Sequence, residues 1–195
     1  MVMTLVDALI SDDTITSQTP FRADINSTFG VSAGAMLPVS SFQQHFLLLH
    51  LLRPQVAAYS LPVTIDWPRY CSQSLMHTTF QLLVRRHAVL RTFYSMSQMD
   101  AIQIILSKDD STVPVIASSN DEWSERATET LHMPFLLTRS PPVRALHMCS
   151  EVCTSLLVTV DHVAADYAST LIIQTELHSL CDAVQLQSAP TLAPL

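Results

Sequence analysis

An α/β sandwich with one mixed sheet is the fold class this 195-residue sequence predicts. Three observations carry it. Short strand-like runs interleave with stretches of helical spacing, so helices and sheet must share one core. Two late strand-like segments, 143–148 and 154–160, are close enough in sequence to form a hairpin. Hydrophobic residues make up 48% of the chain and charged residues 14%, enough apolar material to bury a sizeable core.

The elements follow in order. Residues 1–36 are Ser/Thr/Asp-rich and weakly patterned, and are read as a leader or linker. A helix opens after Pro38, capped by Ser40 or Ser41, with Phe42, Phe46, Leu49 and Leu52 as its apolar stripe and Pro54 as its stop. Residues 59–67 alternate as a strand, placing Leu61, Val63, Ile65 and Trp67 on one face. The clearest helix spans 72–90, where Leu75, Thr79, Leu82 and Leu83 form a stripe that Arg86 and Leu90 continue. Arg91-Thr92-Phe93-Tyr94 turns into a strand, residues 101–106 form another, and Lys108-Asp109-Asp110-Ser111 is a turn. A charged helix is expected over 120–131 with Asn120 as a cap. Pro134, Pro141 and Pro142 then break the chain before the hairpin. A helix over 169–184 and a Pro-containing tail, 185–195, complete it, so the organised lobe is 37–184.

The net charge of −7, with Arg85-Arg86 the only basic cluster, argues against a nucleic-acid surface. No apolar run approaches the roughly 20 residues of a membrane span, and the N-terminus lacks a basic signal-peptide region, so a cytoplasmic protein is expected. Cys149 and Cys153 match no common zinc spacing, and Cys71 and Cys181 are isolated, which predicts free thiols and no metal site. With only Gly30 and Gly34 present, a glycine-rich phosphate cradle is excluded. The mean hydropathy of +0.29 is high for a free-standing domain, and implies apolar surface buried against another lobe, subunit or domain.

The candidate site lies at the end of the last strand. Leu156-Leu157-Val158-Thr159-Val160 reads as buried strand, and the polar run Asp161-His162-Val163-Ala164-Ala165-Asp166 follows where it should end. Side chains leaving a rigid strand end can point into a cleft, and His162 can exchange a proton near neutral pH. Asp166, four residues on, is expected to orient the imidazole's surroundings or anchor the turn. The other histidines read as structural: His45 and His50 as a partly solvated helix face, and His87 as a packing or hydrogen-bonding residue. His132, His147 and His178 have no partner at metal spacing. Gln43 and Gln44 are read either as reaching across the cleft or as solvated.

Three spaced segments resemble the N-terminal lobe of a nonribosomal peptide synthetase condensation domain, of the chloramphenicol-acetyltransferase-like superfamily. Ser41-Phe42-Gln43-Gln44-His45-Phe46-Leu47-Leu48 is similar to that family's S-x-A-Q-x-R-L-W type motif. Arg86-His87-Ala88-Val89-Leu90-Arg91-Thr92-Phe93 is close to RHExLRTxF, and Asp161-His162-Val163-Ala164-Ala165-Asp166-Tyr167-Ala168-Ser169 resembles HHxxxDGxS. The fold so implied is a two-layer sandwich, a mixed sheet with helices on one face, forming a single lobe. The implied activity joins a pantetheine-thioester acyl donor to an amine or hydroxyl acceptor, making an amide or ester in nonribosomal peptide or polyketide-peptide biosynthesis. The donor would ride on the phosphopantetheine of an acyl or peptidyl carrier protein, or on CoA, with no cofactor bound directly. His162 would be catalytic, and Asp166 structural, paired with Arg91.

The motif neighbours depart from the family pattern. Asp161 replaces the first His, and with Asp166 and Ser169 it also fits the D-x-x-x-x-D-x-x-S pattern of heterocyclization domains. Tyr167 replaces the motif's Gly, where a phenol would narrow the donor tunnel or strain the loop. The family builds its site between two lobes, which implies a second condensation lobe or a homo-oligomer as partner. The alternative is a degenerate half-domain serving as scaffold or carrier-protein docking module.

Overall fold

The computed structural model describes residues 33–67, 71–97, 100–109, 111–151 and 153–194. The predicted leader therefore lies outside the described residues except for 33–36, and these are strand. Strand β1 (Ala33–Pro38) pairs antiparallel with β4 (Asp100–Leu106), which pairs in turn with β3 (Thr92–Ser97). Composition hid β1 because its register shifts between Ala33 and Ala35, which breaks any alternation; the Ile-rich β4 supplies its pairing.

The larger sheet carries the candidate site. Its order is β2 (Ser60–Trp67), β7 (Thr154–Asp161), β6 (Val143–Cys149), β5 (Val115–Ser118). The β6–β7 hairpin forms as the sequence predicts, and β5 runs parallel to β6, making this sheet mixed. The predicted mixed sheet is thus accompanied by a separate three-stranded one. Strand β5 escaped sequence reading because it is four residues long, follows Pro114 and buries only Val115.

Every residue of β7 is buried, as its near-continuous apolar run requires of a strand covered on both faces. On one face Leu156, Val158 and Val160 join Val63, Ile65 and Trp67 of β2 and Val143 and Ala145 of β6. Helices α2 (Gln73–Arg86) and α4 (Tyr167–Leu186) cover this face through Met76, Phe80, Leu83, Ile173, Leu177 and Leu180. The deep stripe of α2 is thus Met76, Thr79, Phe80, Leu83 and Val84, one residue round from the predicted one, with Leu75 and Leu82 at its margin.

The opposite face is not bare. There the segment following α3 (Trp123–His132) crosses β6, with the Arg144 guanidinium 3.7 Å over the Phe135 ring and donating to the Thr130 carbonyl at 3.4 Å. Helices α2 and α4 thus form the helical layer on one face, and the end of α3 with the segment after it meets Arg144 of β6. Helix α3 begins three residues later than its predicted Asn120 cap. No side chain caps it, and the Ser119 hydroxyl instead accepts from the Glu122 amide at 3.3 Å.

Helix α1 (Ser41–Leu52) is fixed by a capping box. The Ser40 hydroxyl accepts from the Gln43 amide at 3.2 Å, and the Gln43 side chain accepts from the Ser40 amide at 2.9 Å. It buries Phe46 and Leu47, while Phe42 and Leu52 of the predicted stripe stay exposed. Phe46 and Leu47 meet Tyr94, Phe135, Leu137 and Val163 in a second, smaller core.

Candidate functional site

The site begins where β7 stops. Two backbone bonds pin the strand end: the Asp161 amide donates to the Pro142 carbonyl and the His162 amide to the Tyr59 carbonyl, both at 2.8 Å. The Ala164 amide then closes a tight turn onto the Asp161 carbonyl at 2.9 Å. His162 is thus the first residue beyond a fully buried strand, where the sequence placed it.

Aromatic contacts hold the half-buried His162 ring. Phe46 of α1 stacks on it with centroids 4.6 Å apart and planes 16° from parallel, and Phe42 approaches edge-on at 5.9 Å. Its Nδ1 is enclosed and without a hydrogen-bond partner.

Asp161, replacing the motif's first His, is 1% exposed. Its Oδ1 accepts from the Val163 amide at 2.9 Å. Its Oδ2 lies 2.8 Å from Nε2 of His50, near enough for an ion pair but off the line of an aligned hydrogen bond. The sequence read His50 as helix surface. A helical wheel alone could not match it to a carboxylate 111 positions away, although an Asp at a buried strand end implied some such partner.

The Asp161 charge reaches further. Burial pushes the Tyr94 phenol well above its ordinary range, a hydrogen bond with Gln43 pulls it down, and Asp161 raises it again. Burial lowers Arg144 to about 10, and Asp161 works against that shift. Gln43 reaches both the Tyr94 hydroxyl, 3.3 Å, and the Gln103 side chain, 3.4 Å, so it bridges α1 to the small sheet.

Asp166 and Arg91 do not pair. Asp166 is exposed and caps α4, its Oδ1 accepting from the Ser169 amide at 2.8 Å and the Ser169 hydroxyl at 2.6 Å. These bonds, the hydroxyl's first, hold its carboxyl below the ordinary range, with a smaller contribution from the His162 charge. Arg91 is buried and donates to the Leu106 carbonyl. The physical reason is proximity: unpaired amides at the helix start lie within Asp166's own turn, and Arg91 satisfies a carbonyl on β4. Tyr167 is 76% exposed as the first residue of α4. Its backbone is not in the left-handed region, so the phenol imposes no strain on the loop.

The second motif is tied to this region by a residue the sequence reading passed over. Glu176 of α4 is buried and receives Arg86 Nε at 3.0 Å and His87 Nε2 at 2.5 Å. His87 is therefore the hydrogen-bonding residue the sequence suggested. Among the described residues no cluster of three or more His, Cys, Asp or Glu could hold a metal, and no helix is long and apolar enough to cross a membrane.

Known proteins resemble this chain in sequence and in fold. Surfactin synthase subunit 2 of Bacillus subtilis (strain 168) is 30% identical over 158 residues, 80% of this chain and 4% of that protein. A dimodular nonribosomal peptide synthase of the same organism is 29% identical over 162 residues, 82% of this chain and 7% of that protein. The chain thus spans less than a tenth of the length of these two relatives. In structure, the starter condensation domain of rhizomide synthetase RzmA superposes with a TM-score of 0.73 at 12% identity, over 83% of this chain and 42% of that one. This shows a shared fold, the chloramphenicol-acetyltransferase-like architecture the motifs implied. The family model that matches residues 34–195 is that of the condensation domain, and to that family the chain belongs.

Proposed function

We propose that the chain is one lobe of a condensation-type acyltransferase, joining a thioester-bound acyl group to an amine or hydroxyl acceptor. The observation that carries this reading is the placement of His162: first residue past a buried strand, ring half-buried on Phe46, Nδ1 enclosed. With Nδ1 enclosed, Nε2 is the nitrogen left for a substrate. It would take the acceptor's proton as the acceptor attacks the thioester carbonyl. The new C–N or C–O bond forms, the C–S bond breaks, and the carrier thiol leaves with a proton. A positioned base of this kind contributes about 100- to 10,000-fold.

The donor is proposed to arrive on the phosphopantetheine of a carrier protein, in keeping with the peptide synthetases the chain resembles. A second lobe, or another copy of the chain, would complete the cleft. Support for this comes from Phe42, Leu48, Leu51 and Leu52, exposed apolar residues on the helix that holds His162.

Acyl-loaded carrier protein, mixed with an amine acceptor and followed by intact-protein mass spectrometry, tests the proposal. Loss of the acyl group from the carrier with formation of the amide supports it. Binding of the carrier without transfer would overturn it in favour of a docking module.

A further inference from the structure

We propose that His50 positions His162, by holding the buried Asp161 carboxylate between α1 and the end of β7. This inference rests on the acyl-transfer reading of His162 for its consequence, though its geometry stands apart from it.

A carboxylate this buried needs opposite charge or a shared proton. The Val163 amide serves Oδ1, and Oδ2 faces His50 Nε2 at 2.8 Å. Asp161 also acts electrostatically on Arg144 from β6 and Tyr94 from β3. Arg144 is engaged with the Phe135 ring and the Thr130 carbonyl, and Tyr94 with Gln43. His50 is the basic side chain whose ring nitrogen lies within ion-pair distance of Oδ2.

The consequence for His162 follows from helix geometry. Phe46 and His50 are four residues apart, so they sit one above the other on the same face of α1. Phe46 lies against the His162 ring while His50 grips the residue immediately before it. Tyr59 closes the group: its ring meets Phe46 at 5.5 Å and His50 at 5.8 Å, and its carbonyl takes the His162 amide. Helix α1 therefore touches the strand end at two points, one turn apart. Without the His50 contact, the helix face that stacks on the imidazole loses its polar anchor to the strand end.

Proton and carbon shifts of the His162 ring report its stacking on Phe46, with Phe46→Leu as the reference for an unstacked ring. His50→Gln should move those shifts most of the way to the Phe46→Leu values. In His50→Gln/Asp161→Asn the combined loss should be smaller than the sum of the single losses. Should His50→Gln fail to fold, Asp161→Asn, which keeps the side-chain shape, is read in the same way. With an aminoacyl N-acetylcysteamine thioester as donor and an amino acid amide as acceptor, His50→Gln should lower kcat about 100-fold with KM unchanged, as expected for a displaced catalytic group. Unchanged His162 shifts in His50→Gln, or additive losses in the double variant, would overturn the proposal. If the unmutated chain transfers nothing while the shifts respond as described, the acyl-transfer reading fails and the positioning role stands.

Discussion

Replacing Glu176 by Gln keeps the side chain's shape and removes the negative charge that Arg86 and His87 share. The Glu176 side chain is 8% exposed, Arg86 20% and His87 17%, so water can do little to replace the lost partner. Breaking a buried pair from one side costs about 3–5 kcal/mol, and the partial exposure of Arg86 favours the lower end, about 3 kcal/mol. For a chain of this size each kcal/mol moves the midpoint by roughly 2–4 °C, so the expected fall in Tm is roughly 6–12 °C. Thermal unfolding followed by far-UV circular dichroism reads it directly. Arg86→Gln/Glu176→Gln should lose less than the two single variants added together. A single-variant shift within about 2 °C would refute the claim that this carboxylate locks the second motif to α4.

Other perturbations have distinct readouts. Phe46→Ala removes a buried ring together with its stack on His162, and should cost about 3–5 kcal/mol in urea unfolding. Burial pushes His147 below its ordinary value near 6.5, against a hydrogen bond with the Cys71 backbone. The folded state therefore binds this proton less readily than the unfolded chain. Stability should be full above about pH 6.5 and decline as the pH falls below it. His147→Gln should flatten that part of the profile, and a curve that keeps its slope would contradict the assignment. Asp166→Ala should speed amide exchange in the first turn of α4, with Ser169 the most affected. Because Ser169 holds the Asp166 carboxyl below its ordinary value of 3.8, the wild-type turn should keep its protection in mild acid and lose it as pH drops through that lowered value.

What could be read from sequence was what local pattern controls. The alternation of 59–67 gave β2, the apolar run before Asp161 gave β7, and Pro38 followed by Ser40 or Ser41 placed the start of α1 to within a residue. Strands β1 and β5 were hidden because pairing, not their own sequence, makes them strands. At the site, the position of His162 was legible but its partners were not. Asp166 and Ser169 are neighbours in sequence and satisfy one another locally, which displaces the long-range pairing expected with Arg91. Asp161 instead finds His50, and Glu176 finds Arg86 and His87. These contacts join residues about 90 to 111 positions apart, and only the packing of α1 and α4 against the sheet decides them.

The measurement closest to the central claim is the single-turnover rate of acyl transfer from a loaded carrier protein, compared between the wild-type chain and His162→Ala at equal folded concentration. The account predicts transfer by the wild type and a loss of about 100-fold or more in the variant, with circular dichroism unchanged. Equal rates in the two proteins would contradict it, because the imidazole at the end of β7 would then have no part in the chemistry.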